Sequence, residues 1–196
     1  LPPGGQGWHE QDPAAWWQAA CLALRRLAVA STRAGVPAAG WRALAVDGTS
    51  GTLVCVDADL EPVRPGIMYN DARAEAEAAA LNDLAGDFCG RMGYRFAASY
   101  ALAKARWVQR HEAAVFARTR YLLHQADYIA ACLLEAPPAT DYSNALKTGY
   151  DLLEERWPAW LAGLEGVLPR LPAVVAPGRP LGEVTPRAAP ATRLPA

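Results

Sequence analysis

Residues 45–57 read Ala-Val-Asp-Gly-Thr-Ser-Gly-Thr-Leu-Val-Cys-Val-Asp, and residues 67–73 read Ile-Met-Tyr-Asn-Asp-Ala-Arg. The first run predicts two short apolar strands, Trp41–Val46 and Thr52–Val56, joined by a turn of small and polar residues. The second predicts a further extended segment, Val63–Tyr69, broken at Pro65-Gly66 and ending in Asn-Asp-x-Arg where a helical pattern begins. Hydroxyls, an amide, a carboxylate and a guanidinium are thereby expected at the ends of neighbouring strands. That mixture of donors and acceptors suits a ligand rich in hydroxyl groups.

Helical patterns alternate with these strands. Asp12 is a good N-cap and Pro13 a good first helical residue. Behind them Trp17, Ala20, Cys21, Leu24, Leu27 and Ala28 fall on one face, with Gly35 and Pro37 as the stop. Trp17, Leu24 and Leu27 are expected to be buried against strands near Leu44 and Leu53. Asp71 is expected to cap an Ala/Glu-rich helix running to Leu84, and Gly86–Gly93 is expected to be irregular. Ser99 opens a helix carrying Leu102, Ala105, Trp107 and Val108. Tyr121–Leu123 is an extended lead-in to a helix over Ala126–Leu134 that stops at Pro137-Pro138. Trp157–Leu164 is a short helix, and the Pro- and Gly-rich residues from Val167 onward are extended or looped. Alternating strands and helices predict an α/β layer structure.

The chain has 196 residues, enough for one sizeable core. Nineteen basic residues face 20 acidic ones, with no basic cluster, so neither nucleic acid nor an anionic membrane is an expected partner. No apolar run reaches membrane-spanning length. Cys21, Cys55, Cys89 and Cys132 lie too far apart for a CxxC pair and are expected to be free thiols in a reducing, cytoplasmic setting. His9, His111 and His124 are dispersed, and no metal site is expected from them.

Several residues carry two readings. Thr49 and Ser50 are either an ordinary hairpin turn with Asp47 and Gly48 or a loop facing a ligand, where glycine lets backbone approach closely. Asn70, Asp71 and Arg73 are either a helix cap with a solvated arginine or a polar grip, since a carboxylate accepts hydroxyl protons well. Asp141-Tyr142-Ser143-Asn144 carries turn chemistry, and Asp127 sits where a helix cap belongs. Lys104 and Trp107 read as helix-packing residues, the lysine reaching solvent along its own stem.

Taken in order, the motifs resemble the FGGY carbohydrate kinases over nearly the whole chain. Gly7-Trp8-His9-Glu10-Gln11-Asp12-Pro13 with Trp16-Trp17 resembles that family's W-x-E-Q-D-P opening of a helix. Tyr69-Asn70-Asp71-Ala72-Arg73 resembles its Trp/Tyr-Asn-Asp-x-Arg motif, and Leu102–Trp107 its L-x-K-x-x-W helix. Asp141–Ala145 with Thr148–Asp151 resembles its T-D-x-S-N-A…T-x-x-D segment, and Leu171–Val175 through Gly182–Val184 its L-P-x-V…G-x-V exit. The family's D-x-G-T phosphate loop and the G-x-x-D turn bearing its presumed catalytic aspartate are not within these residues. Thr192-Arg193-Leu194-Pro195 has arginine where the family usually has glycine.

The resemblance implies an RNase H-like, actin-like ATPase domain, partial here and flanked by peripheral helices. Residues 1–196 are then expected to be part of the N-terminal sugar-binding domain, without the first phosphate-loop strands and without the C-terminal ATP domain, leaving a sheet edge unsatisfied. The implied activity is phosphorylation of a ketopentose by ATP and Mg, both bound mainly elsewhere. The turn at Asp47–Gly51 departs from the Gln-Met-His-Gly of the xylulose-phosphorylating subgroup and resembles that of ribulose kinase-like members. D-ribulose and D-xylulose are therefore the implied substrates. Glycerol, gluconate or another polyol is an alternative, as is a sugar-binding module without catalysis. Thr49, Ser50, Asn70 and Asp71 are the implied substrate contacts, with Asp47, Gly48 and Arg73 in support. No catalytic residue is implied here. The implied partner is the sugar itself, and a homodimer is compatible with the resemblance.

Overall fold

The computed structural model describes residues 7–137 and 139–195. Pro138, half of the helix stop expected at Pro137-Pro138, lies outside the described residues. Strand β1 (Glu10–Gln11) leads into helix α1 (Pro13–Arg33), and β2 (Val54–Val56) and β3 (Gly66–Ile67) follow. Helices α2 (Glu75–Leu84), α3 (Gly86–Met92), α4 (Ala101–His111) and α5 (Ala113–Arg118) form the middle of the chain. Then come β4 (Tyr121–Leu123), α6 (Gln125–Leu134), β5 (Thr140–Asp141), α7 (Tyr142–Leu146), β6 (Val174–Val175) and α8 (Ala189–Thr192).

The strands are short but nearly continuous. β1 pairs antiparallel with β3, Glu10 opposite Ile67. Leu53 and Ile67 exchange backbone bonds of 2.9 Å, joining β3 to β2. β2 pairs antiparallel with β4, Val54 opposite Leu123 and Val56 opposite Tyr121. The ribbon order is thus β1-β3-β2-β4, and β5 and β6 pair separately in parallel.

Side chains on a strand alternate between faces, and here both faces are covered. Leu53 and Cys55 enter the larger core with Ile67, Leu81, Phe88, Leu102, Val108 and Leu161. Val54 and Val56 enter a smaller one with Leu123, Tyr128 and Ala131, against which Trp16 and Trp17 of α1 pack. A strand buried on both sides needs an unbroken apolar run, and Leu-Val-Cys-Val supplies it.

The start of α1 is as expected: the Asp12 carboxylate accepts from the Ala14 N–H, with Pro13 at the first position. Its burial is not. Trp17 and Leu24 are half-buried, while Leu27 is 54% and Leu44 is 44% exposed. α1 docks on α6 and α8 through small residues, Cys21 and Ala28 being its buried interior positions. Small side chains permit close helix approach and leave the larger leucines outside.

Other expectations are corrected. Trp41–Val46 forms no regular element and has no ladder partner among the described residues, so its strand propensity is not realised. Gly86–Met92 is helical, because burying Phe88 and Cys89 outweighs a glycine cost of about 1 kcal/mol each. Gly93 ends it in the left-handed conformation at φ 72°. α2 begins at Glu75 behind Ala74, so Asp71 caps no helix. Residues 159–163 form a 3₁₀ turn after Pro158, and α8 interrupts the C-terminal loop region. All four cysteines are free, three of them buried. Among the described residues, no helix is long and apolar enough to cross a membrane.

Candidate functional site

The turn between Trp41–Val46 and β2 is anchored on the start of α6. Asp47 Oδ1 accepts from the Gly48 N–H at 2.8 Å. Gln125 Oε1 accepts from both the N–H and the hydroxyl of Thr49, each at 3.0 Å. A Cβ on Gly48 would lie 3.1 Å from the Ala126 nitrogen, so the turn rests directly on the helix start. The Thr49 and Thr52 hydroxyls are 2.6 Å apart, and Thr52 Oγ1 accepts from the Tyr69 N–H at 3.0 Å. Thr52, fully buried, therefore brings the Thr49–Ser50 turn and the Tyr69–Asn70 strand end together.

Asp71 lies one residue beyond, 1% exposed. Its Oδ1 accepts from the Arg73 N–H and Nε, both 2.9 Å. Its Oδ2 accepts from the His9 N–H at 2.6 Å and from Arg73 Nη2 at 2.7 Å. Burial pushes this carboxyl up, but the Arg73 hydrogen bonds and the two backbone N–H groups more than reverse that, holding it below the usual carboxylate range. Arg73 is stacked 4.1 Å from the Trp8 ring and 4.9 Å from the Trp107 ring, and its Nη1 reaches Glu10 at 2.6 Å. Arg64 bridges Glu10 to Glu112. The W-x-E motif, the Asn-Asp-x-Arg motif and α4 are thus one polar and aromatic cluster.

Beside Asn70 runs an open groove of about 530 Å³. Tyr69, Asn70, Glu75, Asn82 and Arg95–Ser99 are among its lining residues. Tyr69 is 47% exposed, and Asn70 is exposed. Ser50 is half-buried, and its hydroxyl has no hydrogen-bond partner among the described residues. Asn82 fixes the Arg95–Ser99 part of the lining by bonding both the N–H and the carbonyl of Phe96, at 2.8 and 2.9 Å.

Lys104 is not a solvent-reaching residue. It is 0% exposed, and its ammonium donates to the carbonyls of Gly51 at 2.7 Å and Ser99 at 2.8 Å. Burial is the main cause that lowers it to about 7; Asp71 raises it, and Arg73 and Lys147 lower it further. Nothing in the sequence positions of Thr52, Gln125 or Lys104 points to the site. Threonine and glutamine at element ends are common, and only a lysine surrounded by apolar residues in a helix gives any signal. Elsewhere Asp127 bonds the His124 N–H at 2.9 Å, as a cap should, and Asp141 bonds the Asn144 N–H at 3.0 Å.

Comparison with known proteins matches residues 3–196 to the N-terminal domain of the FGGY family of carbohydrate kinases. Xylulose kinase of Streptomyces rubiginosus is 32% identical over 181 residues, covering 90% of this chain and 36% of that protein. Xylulose kinase of Klebsiella pneumoniae is 29% identical over 190 residues, covering 96% and 38%. The crystal structure of xylulose kinase from Rhodospirillum rubrum superposes with a TM-score of 0.86 at 30% identity, covering 100% of this chain and 41% of that one. The chain therefore spans less than two fifths of the length of these curated relatives. The fold is the actin-like ATPase fold of these sugar kinases.

Proposed function

This chain belongs to the FGGY family of carbohydrate kinases, and from that membership we propose that it is the sugar-binding part of an ATP-dependent kinase for a ketopentose, D-xylulose or D-ribulose. One observation carries the reading: Thr52 joins the Ser50 turn to the Asn70 strand end, and Asn70 lines an open groove. An open-chain sugar presents a row of hydroxyls, each both donor and acceptor, and Ser50 and Asn70 offer matching groups. Thr49 and Asp71 already hold several hydrogen bonds, so they contribute mainly by fixing those two neighbours. Asp47, Gly48 and Arg73 support the same frame.

When bound, Mg-ATP would supply the γ-phosphoryl group for a sugar hydroxyl, with ADP as the leaving group and the hydroxyl proton passing to a base. Residues 1–196 contribute to this by orienting the sugar, the step on which phosphoryl transfer depends most. The nucleotide, its metal and the base belong to parts of the kinase outside these residues. A cytoplasmic location follows from the same reading, where the four thiols stay reduced.

The test is a coupled ADP-release assay of the full-length kinase with a panel of ketopentoses and polyols. Turnover with D-xylulose or D-ribulose is expected, and none from residues 1–196 alone. A panel positive only for glycerol or gluconate would replace the substrate, and a wholly negative panel would leave a non-catalytic sugar-binding module.

A further inference from the structure

We propose that Lys104 is a positioning residue for the sugar groove: its buried ammonium straps the backbone of the Thr49–Gly51 turn to that of the Phe96–Ser99 segment. The inference rests on the sugar-site reading above. It begins from a misfit between residue type and place. Lys104 is wholly enclosed on α4 among apolar neighbours, where a leucine or methionine would pack without losing hydration. None of the ion pairs to carboxylates among the described residues involves it. Its partners are two backbone carbonyls, from segments 48 residues apart in sequence (99 minus 51), at 2.7 and 2.8 Å.

Those two segments meet unusually closely. Gly51 has φ +83°, and a Cβ built on it would lie 2.3 Å from the Ser99 carbonyl oxygen. Only glycine permits that approach. It also brings two carbonyl oxygens to one point, where their like partial charges repel, and a cation with several donors at that point removes the repulsion. One segment carries Ser50, and the other lines the groove together with Asn70. The Phe96 end of this lining segment is held by Asn82 and the Ser99 end by Lys104. The charged groups that act on the ammonium are Asp71, Arg73 and Lys147. Asp71 and Arg73 belong to the cluster next to Asn70, so the ion pair adjoins one lining residue of the groove while the strap ends on another, Ser99.

Lys104→Met in the full-length kinase tests this, with steady-state kinetics and hydrogen exchange read together. The expected result is a sugar KM raised about tenfold or more with the ATP KM changed less than about twofold. Exchange should quicken at residues 48–52 and 97–100 and stay unchanged in α1. Gly51→Ala keeps the lysine but pushes the two segments apart, and should give the same pattern, deciding the matter if Lys104→Met does not fold. A folded variant with an unchanged sugar KM and unchanged exchange at both segments overturns the strap, as does an equal rise in both KM values. Should the wild type phosphorylate no ketopentose, the functional reading fails by itself, and the exchange pattern alone still decides whether Lys104 joins the two segments.

Discussion

Asp71 and Arg73 form a two-point ion pair sealed from solvent, Nε to Oδ1 at 2.9 Å and Nη2 to Oδ2 at 2.7 Å, with side-chain exposures of 0% and 1%. Removing one partner of such a pair leaves the other charge buried and alone. Asp71→Asn is therefore expected to cost about 3–5 kcal/mol of stability. Because the carboxyl is held below its ordinary range, the stability it gives is present above roughly pH 4 and is lost as pH falls through its folded value. Urea unfolding of wild type and variant at neutral and acid pH measures both, and a variant as stable as wild type at pH 7 would contradict the sealed pair.

Lys104 has the opposite pH signature. Its folded value is about 7 against an ordinary 10.5, so between the two the unfolded chain carries the extra proton. Stability should then rise with pH from about 7, by at most ~1.4 kcal/mol per unit. Above about pH 9 the buried thiols of Cys55 and Cys132, pushed up to about 11 by burial, act in the other direction. The melting temperature of wild type relative to Lys104→Met should therefore increase between pH 7 and 8.5. A flat difference would mean the amine keeps its ordinary affinity for protons.

Ser50→Ala and Asn70→Ala should act on the sugar alone. A neutral hydrogen bond is worth about 0.5–1.5 kcal/mol, so the sugar KM of the full-length kinase should rise roughly two- to tenfold. The ATP KM and the melting temperature should hardly move, since Ser50 has no hydrogen-bond partner among the described residues and Asn70 is exposed. Unchanged sugar kinetics in both variants would put the sugar elsewhere.

Thr52→Val conserves shape but removes the hydroxyl that bridges Thr49 Oγ1 and the Tyr69 N–H. The part-buried Tyr69 N–H loses its partner, at a cost toward the lower end of about 1–3 kcal/mol. Denaturant unfolding reads the cost. Sugar KM should rise in the same variant, because the two ligand-facing segments lose their common anchor.

Core positions separate in the same experiment. Leu102→Ala, at 0% exposure, should lose about 2–5 kcal/mol, whereas Leu27→Ala, at 54%, should stay within about 0.5 kcal/mol of wild type. Comparable losses at both positions would mean that the outer face of α1 is covered in solution.

What could be seen in advance follows from how local each signal is. Asp12-Pro13 starts α1 because capping is a matter between neighbouring residues. The Asn-Asp-x-Arg run announces a polar strand end, and there Arg73 is paired with Asp71 rather than solvated. Trp41–Val46 looked like a strand by composition, yet pairing depends on a partner that no local pattern specifies. Gly86–Met92 looked irregular because glycine is a poor helix former, and only the burial of Phe88 and Cys89 reverses that. Leu27 had the right helical spacing for a buried residue, but α1 turns its smaller residues inward. Lys104 was the hardest to place. Lysine ordinarily reaches water, and its true partners are carbonyls brought together by the fold from Gly51 and Ser99.

The Arg73 guanidinium between Trp8 and Trp107, whose rings meet edge to face with centroids 5.4 Å apart, also gives the molecule an optical handle. Indole emission responds to a nearby cation and to the polarity around the ring. Any movement of Arg73 relative to Asp71 would change the surroundings of both indoles together. Trp8 and Trp107 thus report on the Asp71–Arg73 pair that adjoins Asn70, and a ligand that shifts the pair should be visible in indole emission.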